Sequence, residues 1–153
     1  MRNGSQQLGF VIVTHGSFGK EMLKVAQYIM GGRLEAFQAV EVPFISEMDQ
    51  QLPPDSQTPF NDRKIWLAQK ISEAIKTVNQ GAGVIVLTDI IGGTSFNVSR
   101  QLVDPGCGAV IAGVNLPMLL KAASLTGLKA GEAADALVAR SRKAIDSIEP
   151  KES

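Results

Sequence analysis

Cysteine and histidine are nearly missing from this sequence: one of each in 153 residues. A lone Cys107 forms no internal disulfide and suits a reducing compartment. One cysteine and one histidine exclude a zinc site built mainly from those ligands. No carboxylate cluster suggests magnesium, so neither a metal nor a cofactor is expected. An excess charge of one sign is also lacking, because 15 Lys and Arg balance 15 Asp and Glu. Nucleic acid and anionic membranes therefore find no bulk positive field. No apolar run approaches the roughly 18 residues of a spanning helix. The opening "MRNGSQQ" lacks the apolar core of a signal peptide, so a cytoplasmic protein is expected. Neither Gly-Lys-Ser/Thr at the end of a phosphate loop nor Gly-x-Gly-x-x-Gly occurs, which argues against a nucleotide-driven kinase.

The apolar fraction is that of an ordinary globular chain, 44%, and the length suits one domain over residues 1–153. Residues 1–7 and 149–153 read as tails. Strand signals are short apolar runs at Leu8–Val13, Phe37–Phe44, Gly83–Thr88 and Ala109–Val114. The second alternates and is expected nearer an edge. Helical patterns separate the strands. Met22, Val25, Ala26 and Ile29 form one apolar face, ended by Gly31-Gly32. Leu67, Ile71, Ile75 and Val78 form another. Ser95–Val103, Leu116–Leu125 and Glu132–Ile148 complete the set, the last carrying Ile145 and Ile148 on its apolar face. Steady alternation predicts an α/β fold: a doubly wound, mainly parallel four-stranded sheet with helices on both faces. The Pro-rich stretch 45–62 is too long for an ordinary connection and reads as an excursion, either passive or contacting a partner.

In such folds ligands sit beyond the carboxyl ends of the strands. His15 falls just past the first strand and Asp89 just past the third, so topology alone aims both into one crevice. Gly16 allows close approach of a ligand and Ser17 suits the N-cap of the next helix. "TDIIGGTSFN" repeats the design, with Gly93, Thr94 and Ser95 opening a second helix N-terminus that favours an anion. An imidazole accepts a phosphoryl group when one nitrogen is unprotonated. A carboxylate bonded to the other nitrogen fixes that tautomer. With no nucleotide motif, the donor is expected to be another phosphoprotein. A Ser-His-Asp hydrolase using Ser17 or Ser95 is the rival from another class, but no Gly-x-Ser-x-Gly elbow is present.

Three stretches, "VTHGSFG" at Val13–Gly19, "TDIIGGTSFN" at Thr88–Asn97 and "VIAGVNLPMLL" at Val110–Leu120, carry a family resemblance. The chain resembles the IIA component of the mannose family of the bacterial phosphoenolpyruvate-dependent sugar phosphotransferase system, over about Leu8 to Ile148. The resemblance implies that His15 is the phosphorylated nucleophile and Asp89 the carboxylate that orients and stabilises it. Gly16, Ser17 and the Gly93-Thr94-Ser95 turn would bind the phosphoryl group. It also implies a cytoplasmic homodimer, with an additional edge strand exchanged between copies. The donor would be the histidine-containing phosphocarrier protein and the acceptor a separate IIB component, through which the chain would associate peripherally with a membrane sugar permease. The related phosphocarrier domain serving dihydroxyacetone kinase, and a purely regulatory module read through its phosphorylation state, use the same His15 chemistry. Departures from the family pattern are Ser95 where proline is common, Ile91 where an aromatic residue is common, and the long excursion. "EPKES" after the last helix leads us to expect no fused IIB domain.

Overall fold

The central strands are the two whose side chains are buried on both faces. In the computed structural model, which describes residues 7–44 and 59–150, β1 runs Gly9–His15 and β3 runs Val84–Thr88. Phe10 and Ile12 face one core while Val11 and Val13 face the other, and Ile85 and Leu87 alternate with Val84 and Val86 in the same way. This is the period of two expected when helices cover both sides of a sheet. Each fully buried side chain of this kind stabilises the fold by about 1.5–3 kcal/mol. β2 (Phe37–Val42) and β4 (Gly108–Ala112) flank the central pair, giving an all-parallel sheet of order β2-β1-β3-β4. β2 is an edge strand, as its alternation predicts. The order reverses between β1 and β3, which opens a crevice at their carboxyl ends.

Helices α1 (Phe18–Met30), α4 (Leu116–Ala123) and α5 (Ala130–Lys143) cover one face through Leu23, Met118, Leu119 and Leu137. Helices α2 (Pro59–Val78) and α3 (Thr94–Leu102) cover the other through Leu67, Ile71, Val78 and Val98.

Several boundaries differ from the sequence expectation. His15 is the last residue of β1 rather than a residue beyond it. α1 presents Gly19, Leu23 and Ala26 to the core, while Val25 and Ile29, expected inside, are 46% and 51% exposed. Gly19 explains the rotation. A Cβ there would lie 2.7 Å from Ile12 Cγ2 and 2.8 Å from Thr14 Oγ1, so α1 sits closest to the sheet where it has no side chain. The expected excursion is shorter at its far end, because residues 59–62 already belong to α2; positions 45–58 lie outside the described residues. α5 stops at Lys143, and Ile145 and Ile148 are 79% and 85% exposed instead of continuing its apolar face. Its end closes through Ala144 N–H to Ser141 C=O and Ile145 N–H to Arg142 C=O, a tighter turn than the helix. Among the described residues the sheet has four strands, and the additional exchanged strand is not seen. No helix among them is long and apolar enough to cross a membrane.

Candidate active site

The parallel register of β1 on β3 pairs Val13 with Thr88, so Asp89, one residue past Thr88, and His15, two past Val13, meet at the carboxyl ends of the two strands. Asp89 Oδ2 accepts two hydrogen bonds from His15, from the main-chain N–H at 2.9 Å and from ring Nδ1 at 2.8 Å. Its other oxygen accepts the Ile90 N–H at 2.9 Å. Partial burial would raise the Asp89 pKa. The bonds from the His15 main chain, the His15 ring and Ile90 more than offset this and hold it below the ordinary carboxylate value. An ionised carboxylate is an acceptor only, so Nδ1 carries a proton, and in the neutral ring the lone pair is on Nε2. The His15 side chain is 50% exposed and that of Asp89 18%. The imidazole is therefore open to solvent, and the carboxylate that holds it is mostly covered.

The turn after β1 is fixed from several directions. Gly16 N–H donates to Val42 C=O at 2.8 Å, tying the turn to the edge strand. The buried Thr14 Oγ1 accepts the Gly19 N–H at 2.7 Å, so Thr14 satisfies a free donor of the first helical turn. Ser17 occupies the N-cap position but makes no side-chain capping bond. Its exposed hydroxyl makes no hydrogen bond among the described residues and follows His15 and Gly16 in sequence.

The turn after β3 has a different construction. Gly113 N–H and Val114 N–H both donate to Thr88 C=O, at 2.9 and 3.0 Å, and anchor the end of β3 to the chain leaving β4. Gly93 is the N-cap of α3 and offers no capping side chain. Gly92 adopts the left-handed region with φ 78°, which a residue with a Cβ rarely enters. Thr94 is exposed. Ser95 is buried, and its Oγ has no partner among the described residues, so only its main-chain N–H is suited to meet an anion outside. Asn97 is a residue to which the sequence reading gave no role. Its Nδ2 donates to Gly92 C=O at 3.0 Å and its main-chain N–H to Gly93 C=O at 3.0 Å. Asn115, in the third motif, caps α4 by accepting the Met118 N–H at 3.0 Å.

Exposed apolar side chains lie near the two turns in sequence and at the end of the β2 segment. Phe18, Phe44, Ile90 and Ile91 are 53%, 61%, 56% and 75% exposed. From Phe18 an apolar cleft of about 460 Å³ continues along α1 past Met22 and Val25 to Tyr28, with Leu116 opposite. The nearby charges are paired locally, Lys20 with Glu41 at 3.6 Å and Lys24 with Glu21 at 2.6 Å. Among the described residues no group of three or more His, Cys, Asp or Glu is placed to hold a metal ion.

Residues 61–141 match the sequence profile of the family described as PTS system fructose IIA component. The chain is 30% identical over 115 residues to the PTS system mannose-specific EIIAB component of Escherichia coli (strain K12), covering 74% of this chain and 30% of that protein. The Shigella flexneri counterpart matches to the same extent. The chain thus spans less than a third of the curated relatives it matches. Among solved structures, the mannose/sorbose specific IIA subunit of the phosphotransferase system from Enterococcus faecalis superposes with a TM-score of 0.69 at 24% identity, covering 96% of this chain and 98% of that one. The phosphotransferase system component EIIA from Streptococcus agalactiae gives 0.69 at 19%, covering 92% and 97%. At these identities both speak for the fold alone.

Proposed function

This chain belongs to the mannose-type IIA family of the sugar phosphotransferase system, and on that premise we propose that His15 Nε2 is its phosphoryl carrier. The observation that supports this most directly is the 2.8 Å contact between His15 Nδ1 and an Asp89 carboxylate that is itself held ionised. In the proposed step the Nε2 lone pair attacks the phosphorus of a phosphohistidine on the donor. The new N–P bond forms as the donor's N–P bond breaks, and that electron pair returns to the donor imidazole. Asp89 stabilises the imidazolium charge that develops on His15. The N–H groups of Gly93, Thr94 and Ser95, with the Ser17 hydroxyl, are suited to neutralise the phosphoryl oxygens; the Gly16 N–H is already given to Val42 C=O, so Gly16 contributes only the close approach that a missing side chain allows.

The donor in this reading is the histidine-containing phosphocarrier protein, and the acceptor a IIB component. Both dock on the apolar rim of Phe18, Ile90 and Ile91 and along the α1 cleft. Paired local charges and a neutral chain give little electrostatic steering. Contact is therefore driven by apolar burial and is brief, as a relay requires. We also infer a cytoplasmic homodimer. The outer edge of β4 has no strand partner among the described residues, and an unpaired edge is a ready site for a second copy.

The test is incubation with phosphoenolpyruvate, enzyme I and the phosphocarrier protein. One acid-labile, base-stable phosphoryl group per chain is expected, and none on His15→Ala. An acid-stable adduct, or full labelling of the alanine variant, would overturn the reading.

A further inference from the structure

We propose that Asn97 is a positioning residue for the phosphoryl group, through the main-chain N–H of Gly93. The inference rests on the reading of His15 given above and adds a residue to it.

The turn that opens α3 contains two consecutive glycines, neither of which has a side chain to hold it. Gly92 lies in the left-handed region and Gly93 is extended, with φ −69° and ψ 170°. Glycine peptides have the widest conformational choice of any, so such a turn needs an external restraint to keep one shape. Asn97 supplies it twice. Its main-chain N–H closes the first helical turn on Gly93 C=O, which any residue at this position would do. Its side-chain amide reaches one residue further back, to Gly92 C=O. That second bond requires an amide donor.

The consequence follows from peptide planarity. Gly92 C=O and Gly93 N–H belong to the same trans peptide unit and point in opposite directions. Fixing the carbonyl on the Asn97 amide therefore fixes the N–H on the opposite side of that plane. A donor held in place before the phosphoryl group arrives needs no reorganisation when charge develops there. Without the amide the Gly92–Gly93 peptide is free to rotate, and its N–H is aimed correctly only part of the time. Among the described residues the Asn97 side chain makes no hydrogen bond with His15 or Asp89, so it acts on the glycine turn and leaves the histidine tautomer alone.

The experiment uses the intact protein, phosphorylated through the phosphocarrier chain, with Asn97→Asp and Asn97→Ala as variants. The aspartate keeps the shape and removes the donor. In the wild type, phosphorylation of His15 should move the Gly93 amide resonance downfield. In both variants that movement should shrink, and phosphoryl transfer should slow by about tenfold or more. The His15 ring tautomer, read from its nitrogen shifts, should stay as in the wild type. Asn97→Gln, which retains an amide on a longer arm, should recover part of the loss. A Gly93 resonance that does not respond to phosphorylation of the wild type overturns the proposal without reference to any variant. Variants that lose stability but transfer at the wild-type rate overturn it too, leaving Asn97 a helix-end residue. A wild type that takes up no phosphate on His15 overturns the parent reading first, and this one with it.

Discussion

The turns after β1 and β3 share a plan and divide the labour. Each leaves the carboxyl end of a central strand, passes through a left-handed glycine, Gly16 or Gly92, and enters a helix. The first carries His15, the proposed phosphoryl carrier, and is held by the sheet and by a buried threonine. The second carries one carboxylate and then mainly backbone donors, and is held by the side chain of Asn97 from one turn into its own helix. A nucleophile needs a fixed direction and an open approach, which a strand end provides. An oxyanion needs several weak donors close together, which a glycine turn provides because no Cβ keeps the ligand away. Asp89 joins the two: it belongs to the second turn and orients the first.

Asp89→Asn should break that connection with the largest effect. Either orientation of the amide sets its NH2 group against a main-chain N–H, of His15 or of Ile90, and the imidazolium loses its counter-charge. Where the NH2 faces Nδ1 it also forces the proton onto Nε2, so transfer should slow by about 10²-fold. Rapid-quench measurement in both directions checks this, and unchanged rates would reduce Asp89 to a turn residue. The same variant has an acid signature. Asp89 has a folded pKa below its ordinary 3.8. Its contribution to stability is complete above the unfolded value and is lost as pH falls through the lower folded one. The stability gap between wild type and Asp89→Asn should therefore close across that acid window; a gap that widens there contradicts the assignment.

Thr14→Val tests how the first turn is held. It removes the buried acceptor of the Gly19 N–H while keeping the shape, and should cost about 1–3 kcal/mol in denaturant unfolding. A loss within error would mean that α1 needs no help from β1. Ser17→Ala sharpens the comparison with the smallest effect. An N-cap serine usually contributes about 1 kcal/mol, but here its side chain makes no capping bond. Stability should change by less than about 0.5 kcal/mol, and a loss of a full cap's worth would show that the hydroxyl caps in solution.

Most of the fold was legible because a parallel sheet covered on both faces leaves continuous apolar runs, and those at β1 and β3 are unambiguous. Where the reading slipped, the missing information was contact rather than pattern. Val25 and Ile29 have the right spacing for a core face, but close packing at Gly19 turns α1 so that Leu23 and Ala26 take that place. Ile145 and Ile148 continue the period of α5, yet lie beyond the end of that helix and are exposed. Ser17 is a good cap by residue type, but Thr14, five positions before Gly19, reaches its N–H first. Asn97 escaped notice because an asparagine in a helix has no periodic signal, and its bond to Gly92 depends on the turn's shape.

By itself, the sequence determined the chemistry available: one imidazole, one carboxylate at a matching strand end, two glycine turns leading into helices, and three spaced motifs that identify the family. Residue type and strand position are local properties, so they can be read along the chain. Only the tertiary structure decided how these parts act on one another. The register of β1 on β3 puts both the ring and the main chain of His15 on one oxygen of Asp89. The main-chain bond fixes where the carboxylate sits, and the ring bond selects which nitrogen of the neutral imidazole is free. Both are set by which strands pair and by how far each extends, and neither quantity is written in any single stretch of residues.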